Sequence, residues 1–239
     1  MKALDISKHK TMLSNILIDI YKDDILSPVL GFKGGSAAMF FYNLPRFSTD
    51  LDFDIKKTEN TDENIIIERI SRILAEKYIV KEQSRKQNTL FWLVSYGDGY
   101  SNIKIEVSTR EKPYDMYEVK TLYGIKMRVS RIGDIIANKM VATLERSVVA
   151  NRDLFDIYFF LGSKYVNDIN YEIVSYRTGK KVFDFYNSLY KLVSKINNNT
   201  ILNGLGEVLD ENQKDWAKAK LKMELLGLIE RQMEILKDY

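Results

Sequence analysis

The stretch KGGSAAMFFYNLPRFSTDLDFDI, Lys33 to Ile55, decides the fold. Just upstream, PVLGF (Pro28–Phe32) reads as a short buried strand, and SAAMFFYNL reads as a helix starting at Ser36 that Pro45 closes. Gly34 and Gly35 therefore lie in a strand-to-helix turn. Glycine allows a sharp bend there and a close approach by a ligand. The helix that follows presents unpaired N–H groups and a positive dipole end to an anion. No Gly-Lys-Ser/Thr follows at Walker spacing, so this is not a P-loop. The stretch ends in DLDFDI, where acid and apolar residues alternate as in a strand with one buried face.

Asp50 and Asp52 project from one face of that strand, with Asp54 further along, while Leu51, Phe53 and Ile55 pack the other face. Aspartate is a poor strand former, and adjacent carboxylates resist joint ionisation. A divalent cation offsets both costs, since it takes hard oxygen ligands. A charged edge strand that resists aggregation is the alternative. A third carboxylate favours the cation: NIKIEVST places Glu106 opposite Ile105 and Val107 on a later strand. If that strand lies beside Asp50–Ile55, the three acids can hold two Mg²⁺ ions. Lys104 shares Glu106's face and can form a cross-strand ion pair.

Around this centre the chain divides in two. Residues 5–25 read as an opening helix, and DENIIIERISRILAEKY as another. TLFWLVSYG and NIKIEVSTR read as strands joined by Gly97-Asp98-Gly99, a hairpin turn signal. Past about Arg128, four segments carry helical periodicity: SRIGDIIANKMVATLERS, RDLFDIYFFLG, GKKVFDFYNSLYKLVSKI and NQKDWAKAKLKMELLGLIERQMEIL. The expected architecture is α/β (α+β). An α/β core with a small mixed sheet fills residues 1–125, and a helical region fills 126–239.

With 45% hydrophobic and 29% charged residues, 239 residues can bury a core and stay in solution. No run approaches the roughly 18 apolar residues of a membrane span, and MLSNILIDIY, broken by Asp19, is not a signal peptide. The absence of cysteine excludes disulfides, thiol nucleophiles and Cys-type zinc sites, and it fits a cytoplasmic location. A lone histidine, His9, argues against Ser-His-Asp chemistry and reads as a surface residue of the first helix. From Lys120 to Arg152 there are seven basic residues against two acidic ones, a stretch able to steer an acidic partner. Arg46 and Ser48 read as turn residues within reach of a phosphate, and the fifteen tyrosines read chiefly as core.

On RIGDIIANKMVATL, Lys139 falls within or beside the apolar stripe of Ile132, Ile135, Ile136, Met140 and Leu144. A buried ammonium needs a snorkelling path, a partner or a bound polyphosphate. On the next helix, Asp153 and Asp156 share a face at i, i+3 among Leu, Phe, Ile and Tyr.

GGS, thirteen residues, DLDF and then IEV on a later strand resembles the polymerase-β-like nucleotidyltransferases. The fuller Lys33–Ile55 string is similar, more narrowly, to the AbiEii/AbiGii-type toxins that include the MenT toxins. IANKMVATLERS followed by NRDLFDIYFFL resembles that family's lysine helix and its Arg-Asp-x-x-Asp helix. The matching motifs span roughly residues 33–160. The resemblance implies that Gly34, Gly35 and Ser36 hold nucleotide phosphates and that Asp50 and Asp52 ligate metal. It implies that Lys139 contacts the triphosphate and that Asp153 or Asp156, with Asp156 preferred, completes the site. The expected activity is Mg²⁺-dependent transfer of a nucleotide from an NTP to an RNA 3′ end. The RNA expected is the tRNA acceptor end, within a toxin-antitoxin or abortive-infection system that would include a cognate antitoxin. A small-molecule or protein hydroxyl as acceptor, and a silent RNA- or partner-binding module, are the alternatives. The NTP, the acceptor, direct antitoxin contact and the oligomeric state stay open.

Overall fold

A computed structural model of the chain describes residues 4–56 and 62–237. It comprises two compact units, which divide between Ser130 and Arg131.

The first unit is built on a seven-stranded mixed sheet in the order β3-β4-β5-β2-β1-β7-β6. The strands are β1 (Leu30–Lys33), β2 (Leu51–Ile55), β3 (Ile79–Lys86), β4 (Thr89–Ser95), β5 (Ile103–Ser108), β6 (Tyr117–Leu122) and β7 (Ile125–Ser130). The aspartate strand β2 is central. It runs antiparallel to β1 and parallel to β5, so the neighbour expected for Glu106 is the one observed. One sheet face is apolar: Phe32, Leu51, Phe53, Ile105 and Val107 are fully buried. Helix α1 (Ile6–Lys22) packs with Tyr21 6.4 Å from the Phe53 ring. The Tyr21 hydroxyl wedges between β1 and β7, accepting from Phe32 N–H at 3.0 Å and donating to the Arg128 carbonyl at 2.7 Å. Helix α3 (Glu63–Lys77) contacts α1 and β3.

Two outer strands carried little signal in the sequence. β3, IVKEQSRK, is a mostly exposed edge strand whose charges hide any alternation. β6 and β7 form a hairpin through Tyr123 and Gly124, at φ 48° and 81°, both left-handed as a tight two-residue turn demands.

The second unit is helical: α4 (Ile132–Glu145), α5 (Asn151–Leu161), α6 (Tyr171–Thr178), α7 (Val182–Ser194), α8 (Glu211–Trp216) and α9 (Lys222–Lys237). A π turn, Ala217–Leu221, joins the last two. α4 packs on α5 and α6, and α7 on α9. Gly133 lets the start of α4 meet the Asp168 carbonyl, where a Cβ would fall 1.8 Å from that oxygen.

Candidate active site

In the first unit the candidate residues gather on the polar face of the sheet. Register places Phe91, Glu106, Asp52 and Lys33 side by side across β4, β5, β2 and β1. Residues in register point to the same face. Asp52 and Glu106 are therefore neighbours across one strand spacing of about 4.8 Å. The next row toward the far end of β2 holds Ser108, Asp54 and Gly31.

Helix α2 (Gly34–Phe41) starts at Gly34, with Lys33 as its N-cap, two residues before the expected start at Ser36. Gly34 has φ +77°, and a Cβ there would lie 2.4 Å from Asp52 Oδ2, so the turn presses against that carboxylate. A Cβ on Gly35 would lie 2.8 Å from Ser48 Oγ and 3.2 Å from the Arg46 guanidinium. Ser36 is not a cap. Its fully buried hydroxyl donates across to the backbone carbonyl of Asp50. The glycine turn and the entry to the aspartate strand are thus stitched together.

His9 corrects the surface reading, since it is 0% exposed. Its Nε2 lies 2.9 Å from the Thr49 carbonyl and its Nδ1 2.9 Å from the Tyr96 hydroxyl. A carbonyl only accepts, so Nε2 carries the proton and Nδ1 accepts from Tyr96. Burial lowers the His9 pKa, against opposing effects of the Thr49 bond and the Asp50 charge. Two consecutive carbonyls, Thr49 and Asp50, are therefore held by His9 and Ser36. A histidine within an amphipathic helix gave no sign of this pairing.

The three aspartates part company. Asp54 is enclosed, its side chain 5% exposed. Lys33 Nζ lies 2.6 Å from Oδ1, Lys112 Nζ 2.8 Å from Oδ1 and 3.0 Å from Oδ2, and the Tyr117 hydroxyl donates to Oδ2 at 2.8 Å. Burial alone would raise the Asp54 pKa, but the two ammonium groups outweigh it and hold it below the ordinary range. Burial likewise opposes a charged Lys33, and Asp54 and Asp52 overcome it, raising its pKa. Lys112 is lowered by burial and by Lys33. Gly31 is required because the Tyr117 ring lies on it, with a Cβ placed 2.2 Å from Cε1. Asp50 and Glu106, by contrast, show no side-chain hydrogen bond or ion pair among the described residues. Lys104 is exposed and forms no ion pair among the described residues.

Among the described residues no three His, Cys, Asp or Glu side chains are gathered tightly enough to enclose a metal ion as they stand. The donor chemistry still suits a hard divalent ion: Asp52 and Glu106 are adjacent oxygen donors, and Asp50 lies two residues before Asp52, just ahead of β2.

In the second unit, Lys139 lies in a pocket of acids. Its Nζ is 2.6 Å from Asp156 Oδ2 and 3.2 Å from Asp153 Oδ1. The Asp156 side chain is 0% exposed and that of Lys139 12%. Arg146 pairs with Asp153 from the solvent side. Of the explanations open for a lysine in an apolar stripe, a buried partner is the one realised. Arg152 makes no pair with Asp156 among the described residues.

A Gly-Gly turn at a helix N-terminus packs on a strand with alternating aspartates, and a glutamate strand lies beside it. Solved structures agree in fold. A Helicobacter pylori structure described as a nucleotidyltransferase matches with TM-score 0.64 and 22% identity, covering 99% of this chain and 98% of that one. JHP933 from Helicobacter pylori gives TM-score 0.57 and 23% identity over 100% and 99%. The MenT4 nucleotidyltransferase toxin of Mycobacterium tuberculosis gives 0.64 and 15% over 94% and 84%. No curated protein shows significant sequence similarity to the chain. Residues 16–236 match the model of the nucleotidyl transferase AbiEii toxin family, type IV toxin-antitoxin system, and the chain belongs to that family. Membership makes it a nucleotidyltransferase enzyme, and implies an NTP substrate and a cognate antitoxin. Among the described residues no helix is long and apolar enough to cross a membrane.

Proposed function

We propose that the protein is a Mg²⁺-dependent toxin that transfers a nucleotide from an NTP to the 3′ hydroxyl of an RNA, the tRNA acceptor end in particular. The observation that carries this reading is the Asp52–Glu106 pair, in register on parallel strands, with Asp52 pressed against the Gly34 turn. Asp50, Asp52 and Glu106 would hold the metal, which when bound supplies Lewis-acid stabilisation of phosphate charge. The N–H groups of the Gly34–Gly35 turn bind phosphate oxygens, and Ser36 keeps that turn fixed to the Asp50 backbone. Lys139 contacts the triphosphate. Asp156, buried beneath it, acts as a positioning residue that keeps the ammonium charged and aimed. The attacking hydroxyl gives up its proton to solvent as its oxygen bonds to the α-phosphorus, the bond from that phosphorus to the α–β bridging oxygen breaks, and pyrophosphate leaves. Orientation and charge placement do most of the work. The basic residues between Lys120 and Arg152 draw in the RNA.

The test is incubation with total RNA, Mg²⁺ and each labelled NTP in turn. Label should enter one RNA size class and vanish with Asp52→Ala or Glu106→Gln while thermal unfolding persists. Label on protein, or on a small metabolite, would move the acceptor to the alternative class. Unchanged toxicity in a folded Asp52→Ala variant would end the enzymatic reading in favour of a binding module.

A further inference from the structure

Lys33 and Lys112 both bind the single carboxylate of Asp54, and neither has another ion-pair partner among the described residues. The three side chains lie mostly out of water, 23%, 22% and 5% exposed. Two ammonium groups share one directly bonded carboxylate in a poorly solvated place, and the charge of Asp52 also acts on Lys33. The cluster adjoins the Gly34 turn, since Lys33 is the N-cap of α2 and stands in register with Asp52.

The bonds around Asp54 are unequal. Lys112 reaches both oxygens and Tyr117 donates to Oδ2, whereas Lys33 contacts Oδ1 alone. Without Lys33, Asp54 would keep a cation and two satisfied oxygens. Without Lys112, Lys33 would be its only cation.

We infer that Lys33 is a polyphosphate ligand stored on Asp54: it leaves Asp54 for the phosphates of a nucleotide at the Gly34–Gly35 turn, while Lys112 and Tyr117 keep Asp54 neutralised. The inference rests on the nucleotide reading of that turn. It adds a second cation to the phosphate site, supplied by the sheet unit itself. It also gives Lys112 a role at a distance, as the positioning residue that makes Lys33 available.

The test is calorimetric binding of inorganic tripolyphosphate to the full chain in metal-free buffer, beside thermal melts. Lys33→Gln should lower affinity at least tenfold and shift the melting temperature by no more than about 3 °C, and Lys33→Arg should restore binding. Lys112→Gln should also weaken binding, because Asp54 then retains Lys33. Lys81→Gln, on the exposed edge strand, should leave affinity unchanged. Unchanged affinity in Lys33→Gln, or an equal loss in Lys81→Gln, would overturn the inference. So would a Lys33→Gln chain that does not fold, which would show that Asp54 cannot spare this lysine. RNA labelling is a separate readout. Tripolyphosphate bound through Lys33 by a protein that labels no RNA would end the proposed function and leave this inference standing. RNA labelling untouched by Lys33→Gln would do the reverse.

Discussion

Gly34→Ala tests the coupling between the glycine turn and Asp52. Gly34 has φ +77°, which costs an alanine about 1–2 kcal/mol. The new methyl carbon would also lie 2.4 Å from Asp52 Oδ2 and 3.1 Å from Asp52 Cβ, so it forces the carboxylate aside or the turn away from β2. Overpacking of this kind costs about 1–3 kcal/mol. The two effects together predict a loss of about 2–5 kcal/mol. Gly99→Ala is the matched control in the same unit: its φ is +83°, and no atom lies within 4 Å of the added carbon. It bears the backbone strain alone, about 1–2 kcal/mol. Chemical denaturation of both variants should show Gly34→Ala the less stable by about 1–3 kcal/mol. Nucleotide transfer should be lost in Gly34→Ala and kept in Gly99→Ala. Equal destabilisation with transfer intact in both would refute the claim that the turn sets the position of Asp52.

Further predictions follow from buried charge and packing. Lys139→Met removes the ammonium 2.6 Å from the buried Asp156 carboxylate and should cost about 3–5 kcal/mol in denaturant unfolding, with part of the loss recovered by adding Asp156→Leu. The lowered pKa of Asp54 means that its stabilisation is present above the unfolded-state value, near 3.9, and is lost as pH falls through the folded-state value. Asp54→Asn should therefore flatten the acid limb of a stability-versus-pH curve. His9 is also lowered, so the unfolded chain binds a proton first; stability should fall as pH drops below about 6.5, and His9→Gln should remove that slope. Gly133→Ala places a carbon 1.8 Å from a backbone oxygen that cannot rotate away, and should destabilise the helical unit by at least about 1–3 kcal/mol in a thermal melt.

Legibility in the sequence followed the range of the interaction. Alternation in DLDFDI and IKIEV reported which side chains share a face, because a strand's period is a local property. Glu106 could thus be named before its neighbour was known, and the parallel pairing of β5 with β2 supplied that neighbour. Lys33 was half legible. It stands immediately before the glycines, and antiparallel counting from β1 to β2 brings it to Asp52. What the count could not reveal is that its ammonium turns to Asp54. Lys112 and Tyr117 were invisible, since they reach Asp54 from 58 and 63 residues away. His9 was misread for a related reason: helical periodicity marked its face, but its two partners come from β2's entry loop and the end of β4.

These misses concern one kind of residue. Each is a polar side chain that neutralises or fixes a group the sequence had already marked as chemical. Composition and spacing expose the cost of a site, such as three aspartates on a strand or a lysine in an apolar stripe. They conceal how that cost is met, because the compensating group only has to be near in space. Asp54 shows the consequence. By spacing it is equivalent to Asp50 and Asp52, yet two lysines and a tyrosine withdraw it from the metal-ligating set. In the proposed site this strand therefore offers Asp50 and Asp52 to the metal, while Asp54 holds two ammonium groups beside them. The same arithmetic applies in the helical unit, where Asp156, its side chain 0% exposed, would under the proposed function act through Lys139. If so, Asp156→Asn should lower the affinity for tripolyphosphate without changing its dependence on Mg²⁺. Replacing a metal ligand such as Asp52 should do the opposite, and equal effects of the two substitutions would contradict this division of labour.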